Sequence, residues 1–187
     1  LKYAVNHKFL RRKVKDGIRI VIADRRFPKE FTQYRQDRIK GYCLLIDKAA
    51  ERKAKKILVF LEEKNDRGMR LLREKAVSKG IGSANFATHR NHVKDLELIR
   101  SLAPEAVLCE NDFHARKILD LTDGRPDFLT AGYGATPTAT DILPRLTTVN
   151  PDFAVAGMMA FEHLSGKRIG KNNIMEIKPR IVEGETL

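Results

Sequence analysis

Residues 107–119 read VLCENDFHARKIL, and this stretch decides the fold class. A short apolar run, Val107-Leu108-Cys109, meets an Asn111-Asp112 pair, and an amphipathic pattern carrying Phe113, Ile118 and Leu119 follows directly. A buried strand that passes through a polar turn into a helix is half of a crossover unit. Asp112, standing before the periodic stretch, is expected as the helix cap. Asn111, with amide donors and an acceptor, can serve a turn or a bound hydroxyl.

The same grammar repeats on either side. Ile18–Ala23 (IRIVIA) and Ile57–Leu61 (ILVFL) read as strands, as do Ala106–Cys109 and Phe128–Ala131. Helical spacing covers 39–54, 66–79, 91–102 and 112–122. Asn150-Pro151 is expected to open a further helix running to Leu164, with Asn as cap and Pro in the first position. Residues 174–183 read as a late strand whose proline puts it at an edge. Strands separated by single helices make an α/β chain with mostly parallel sheets, and such sheets bind ligands at their carboxyl ends. Asp24, Asn111 and the Gly132–Gly134 turn all follow strands.

The chain has 187 residues, enough for one ordinary domain or two small lobes. Its net charge of +12 is unevenly placed. Residues 1–56 hold 18 Lys and Arg against 6 Asp and Glu, whereas the rest balances at 18 of each. A basic third invites a nucleic-acid reading. However, the cluster Arg11-Arg12-Lys13-Lys15 is interrupted by apolar residues, as on a solvated amphipathic helix, and that reading is taken here. Cys43 and Cys109 sit apart in apolar surroundings and are expected as buried free thiols, which suits a reducing compartment. No stretch is apolar for long enough to span a membrane.

Catalytic motifs are missing. There is no phosphate-binding GxxxxGK[ST] and no GxSxG. Gly132 and Gly134 lack the third glycine of a dinucleotide fingerprint. Glu62 and Glu63 are consecutive at a strand end and point in different directions, which is poor geometry for an acid–base pair. His89 and His92, in THRNH, are expected on a surface loop, with no acidic or thiol partner at ligand spacing. The reading is binding without catalysis and without a cofactor.

Five segments, in order, resemble the LacI/GalR transcriptional regulators: GIRIVIADR (17–25), Asp37 with Gly41, VLCENDFHARKIL, LTTVNPDF (146–153) and IKPRIVEGETL. The resemblance implies a periplasmic-binding-protein-like fold of two doubly wound lobes, the first incomplete. Residues 1–47 and 146–165 would form the first lobe, and 50–145 and 174–187 the second. It implies a small-molecule effector, a sugar or sugar phosphate, held in the cleft between lobes. DNA would be reached only through an N-terminal headpiece outside this chain, in a cytoplasmic homodimer with no membrane partner. Asp37 would bond ligand hydroxyls, Arg67 would stand at an effector-binding arginine, Asn111 would contact ligand, and Phe153 would pack on it. Gly134 departs from the pattern, because many members carry an acidic residue there. That departure, with the basic bias, points toward an anionic effector. The other readings are a solute-binding protein of the same fold and a doubly wound enzyme. From the residues alone, Asp37 between Arg35 and Arg38 could equally be a surface ion pair, Arg67 a solvated helix residue, and Phe153 a core residue.

Overall fold

A computed structural model describes residues 6–23, 27–63, 65–124, 126–167 and 174–187. In chain order the elements are α1 (His7–Lys15), β1 (Val21–Ala23), β2 (Thr32–Gln36), α2 (Arg38–Glu51), β3 (Lys56–Leu61), α3 (Asp66–Ser78), β4 (Ser83–Thr88) and α4 (His92–Leu102). They continue with β5 (Ala106–Leu108), α5 (Asp112–Asp120), β6 (Leu129–Tyr133), α6 (Pro137–Thr140), β7 (Thr147–Asn150), α7 (Phe153–Leu164), β8 (Ile174–Ile177) and β9 (Arg180–Val182).

The chain forms two compact units, Leu1–Gln36 with Asp152–Ile177, and Asp37–Pro151 with Lys178–Leu187. This moves the expected lobe boundaries. Helix α2 and strand β7, assigned by resemblance to the first lobe, pack in the larger unit, while β8 joins the smaller. The packing explains the shift: Leu45, Ile46 and Ala49 of α2 and Val149 of β7 are fully buried in one core with Ile57 and Leu108.

In the larger unit the strand order is β4-β3-β5-β6-β7-β9. Neighbours are parallel except for the β7–β9 pair, which is antiparallel. Strand β3 is apolar on both faces and feeds two cores. Ile57, Val59 and Leu61 pack under α2 and α3, with Tyr42, Leu45, Leu72 and Ala76. Leu58 and Phe60 pack under α4 and α5, with Ile99, Ile118 and Leu119. A continuous apolar run is what a parallel sheet covered on both sides requires.

In the smaller unit the order is β1-β2-β8, all parallel. The TQYRQ segment gave no strand signal, yet β2 is its central strand. Gln33 is fully buried there, and its amide is satisfied by the Phe27 N–H (2.9 Å) and by the carbonyls of Phe27 (3.0 Å) and Pro28 (2.8 Å). The Tyr34 hydroxyl donates to the Met159 carbonyl at 3.0 Å and ties α7 to that sheet. The expected start of α7 needs correction. Asn150 ends β7, and the cap is Asp152 in the left-handed region (φ 59°), so Pro151 precedes the cap and is not the first helical residue. The basic α1 buries no residue, as a solvated amphipathic helix should. Of the two free thiols, Cys109 is buried and Cys43 only half-buried, a partial correction to the expectation of two buried thiols. Among the described residues no helix is long and apolar enough to cross a membrane.

Candidate functional site

In a parallel sheet every strand ends at the same edge, and the helices that return over it begin there. In the larger unit four of these helices are opened by Asn or Asp. Asp37 accepts from the Lys40 N–H (3.0 Å), Asn65 from Gly68 (3.0 Å), Asn91 from Lys94 (2.9 Å) and Asn111 from His114 (2.7 Å). Each bond satisfies one of the unpaired amides of a first turn and leaves the positive end of a helix at the edge.

Strand order reverses between β3 and β5, because the chain goes from β3 outward to β4 and then returns to β5 on the other side. The crevice at such a switch point is where doubly wound sheets hold ligands. Two loops border it. The one after β3 carries Glu62 and leads to Arg67, exposed in the first turn of α3. The one after β5 carries Glu110 and Asn111. Helix α2 reaches the same edge: Arg38 pairs with Glu62 at 2.7 Å and lies over the Tyr133 ring at 5.6 Å. Asp37, Arg67 and Asn111 therefore share one edge of one unit, and Phe153 belongs to the other unit. Phe153 is 54% exposed, so the core reading of its ring is corrected.

The helix cap expected at Asp112 falls on Asn111 instead. Asn111 is the cap of α5, and its Nδ2 also lies 3.3 Å from Glu110 Oε1. Asp112 is the first helical residue, 1% exposed, and its carboxylate accepts from the Thr136 N–H (2.7 Å), the Thr136 hydroxyl (2.8 Å) and the Thr148 hydroxyl. It ties α5 to β7 and to the turn after β6. Gly132, in β6, and Gly134, in the turn after it, follow from this clamp. A Cβ at Gly132 would lie 2.3 Å from Asp112 Oδ1, and one at Gly134, whose φ is +138°, would lie 3.1 Å from Oδ2. An acidic side chain at 134 would thus stand against a carboxylate already in place, a physical reason for the departure noted in the sequence.

The reading of His89 and His92 as a plain loop is also corrected. Asp95, one turn along α4, and His114 of α5 bring their ligand atoms within 4.8 Å of both imidazoles. Nearby Cys109 is fully buried, and burial holds its thiol well above the ordinary pKa, so it is inert. A hollow of about 570 Å³ lies by the far end of α2, lined by Asp47, Lys48, Glu51 and Lys79. Its charges are already spent on one another, through Lys48–Glu51 (3.0 Å) and Lys79–Asp47 (2.9 Å), and it is distant in topology from the strand ends.

A LacI family transcriptional regulator from Enterococcus faecium with bound ribose shares the architecture over 98% of this chain and 76% of its own, with a TM-score of 0.75 and 16% identity. The fold is that of LacI-type effector domains. A LacI family regulator from an Arthrobacter species, in complex with lactose, matches 89% of this chain and 69% of its own, with a TM-score of 0.74 and 17% identity. A periplasmic binding protein/LacI transcriptional regulator from Alkaliphilus metalliredigens, complexed with D-xylulofuranose, matches 96% and 81%, with a TM-score of 0.69 and 14% identity. No family model and no curated protein matches the sequence. At these identities the LacI-type fold carries the likeness, and side-chain roles rest on the geometry above.

Proposed function

We propose that this chain is the effector-binding part of a LacI-type transcriptional regulator, taking a sugar or sugar phosphate at the carboxyl edge of the six-stranded sheet. The observation that carries this is the switch point between β3 and β5, bordered by Arg67 on one side and Asn111 on the other. The Asn111 amide can pair with a hydroxyl in either sense. The capping bond of Asp37 uses Oδ1, and its second oxygen can accept from a hydroxyl. Arg67 offers a planar fork suited to paired hydroxyls or phosphate, and the helix N-termini around it favour an anion. Phe153, on the smaller unit, is the apolar ring proposed to pack on the ligand. Solved proteins of this fold hold ribose and lactose, which supports the polyhydroxylated class.

The mechanism is a population shift. A ligand with higher affinity for one arrangement of the regulator moves the equilibrium by that difference, and a DNA-binding headpiece in a cytoplasmic homodimer reads the result. No turnover is involved. A solute-binding protein is the second reading, favoured by the match to a periplasmic binding protein/LacI regulator. Calorimetric titration of the chain with ribose, lactose, cellobiose and their phosphates tests the proposal. At least one should bind, and Asn111→Ala and Arg67→Ala should each weaken it about tenfold or more, the loss of one or two good hydrogen bonds. Unchanged affinity in both variants would remove the site assignment. Operator binding that responds to the ligand, measured on the native gene product, would separate regulator from solute carrier.

A further inference from the structure

Three imidazoles and a carboxylate converge where β4 ends and where α4 and α5 begin. His89 is the residue after β4, and His92 and Asp95 lie three apart on α4, facing the same way. His114 comes from the first turn of α5. Each offers a ligand atom, and these atoms all lie within 4.8 Å of one another. The side chains of Asp95 and His114 are 3% and 1% exposed, whereas that of His89 is 32% exposed and leaves a path from solvent.

Nothing in the rest of the fold accounts for this group. A buried carboxylate costs several kcal/mol unless a charge or donors compensate it. Among the described residues the partners of Asp95 are two imidazoles, His89 Nδ1 and His114 Nε2 (3.0 Å), and the Arg90 N–H at 3.3 Å. The imidazole of His114 is oriented from behind, because its Nδ1 lies 2.6 Å from Glu110 Oε2, itself buried. With its Nδ1 proton donated to that carboxylate, the ring presents the other nitrogen for an ion. A histidine backed by a carboxylate in this way is the usual arrangement behind a metal ligand. Among the described residues the buried His92 Nδ1 makes no hydrogen bond, and the 3.0 Å approach of His114 Nε2 to Asp95 lacks hydrogen-bond geometry. One orphaned nitrogen thus lies with a second nitrogen and a carboxylate oxygen, all within 4.8 Å of one another. The three rings sit with centroids 4.4, 4.8 and 5.7 Å apart.

We propose that His89, His92, Asp95 and His114 bind one divalent transition-metal ion of the zinc class, with Glu110 as the positioning residue for His114. Three imidazole nitrogens and one carboxylate oxygen make a four-coordinate set suited to zinc. Metal–ligand bonds of about 2.0–2.1 Å in a tetrahedron hold donor atoms roughly 3.4 Å apart. The widest pair of rings is His92 and His114, so closure onto an ion needs a shift of His92, on the first turn of α4. Bound there, the ion fastens the end of the edge strand to the first turns of two helices.

The test uses the full chain, stripped with EDTA and titrated with zinc chloride by calorimetry and with cobalt chloride by visible absorption. We expect one ion per chain at this site and the intense visible bands of tetrahedral cobalt. Asp95→Asn and His114→Gln should each abolish those bands. Glu110→Gln should weaken the affinity about 10–100-fold, as removal of a carboxylate behind a ligand does. His89→Ala, at a partly exposed position, tests the site without disturbing the core and should shift the bands and weaken the affinity about tenfold or more, with an unchanged circular dichroism spectrum showing the chain folded. Absence of saturable binding, or cobalt affinity and bands unchanged by His89→Ala in the folded chain, would overturn the proposal and leave His114 as a bridge between Asp95 and Glu110.

Discussion

Replacing Asp112 by alanine should destabilise the larger unit by about 3–5 kcal/mol. The carboxylate is 1% exposed and accepts three hydrogen bonds, from the Thr136 N–H, the Thr136 hydroxyl and the Thr148 hydroxyl. Truncation leaves donors without a partner, each costing about 1–3 kcal/mol when buried. The two hydroxyls can turn to other acceptors and recover part of this, but the Thr136 N–H cannot. Asp112→Asn is a sharper probe. Its carbonyl oxygen can keep both bonds to Thr136, and its amide can donate to Thr148 Oγ1, so the loss should be about 1–2 kcal/mol. Urea unfolding followed by circular dichroism reads both variants. With a slope of roughly 2 kcal/mol/M for a unit of this size, alanine should lower the midpoint by about 2 M and asparagine by less than about 1 M. A midpoint for Asp112→Ala within about 0.3 M of the parent would refute the clamp. Equal losses for alanine and asparagine would show that charge, and not the count of hydrogen bonds, sets its worth.

Two further outcomes follow from local geometry. Ala103 closes α4 in the left-handed region (φ 44°, ψ 59°), where a Cβ is strained by about 1–2 kcal/mol; Ala103→Gly should raise stability by up to about 1 kcal/mol after its added chain entropy, read as a higher urea midpoint. Burial works to raise the carboxyl pKa of Asp47, but bonds from Lys75 (2.8 Å) and Lys79 (2.9 Å) outweigh it and hold it below the usual value of 3.8. A depressed carboxylate contributes stability above its unfolded pKa and loses it as pH falls through the folded one, so Asp47→Asn should cost a few tenths of a kcal/mol at pH 7 and nothing near pH 2.

Much of this architecture was legible because two-sided burial writes itself plainly: ILVFL and AVL can hardly be anything but inner strands. The smaller unit was harder. TQYRQ forms a central strand through one buried glutamine that bonds a neighbouring loop, and no hydrophobic period announces such a solution. SANFAT was passed over because an edge strand of small, half-buried residues shows neither alternation nor a dense apolar run. Asn111 and Arg67 lie at the strand-end edge that the α/β pattern implies, whereas the part played by Asp112 turns on three-dimensional neighbours, Thr136 and Thr148, far along the chain. The histidine cluster was missed for a similar reason. His114 arrives only when α5 packs beside α4; Asp95, three residues after His92, is an acidic partner at helical spacing, against the expectation of none.

A strand with grease on both sides has no polar stripe to tell it which way up to lie, so sliding β3 by one residue would exchange Ile57, Val59 and Leu61 with Leu58 and Phe60 at little cost in hydrophobicity alone. Two aromatic pins forbid it. The Tyr42 phenol donates to the Phe60 carbonyl at 2.9 Å, and the Phe60 ring meets His114 edge-on at 4.6 Å. Alignment of β3 is thereby entrusted to a tyrosine on one side of the sheet and a histidine on the other, and the sorting of side chains into the two cores depends on both.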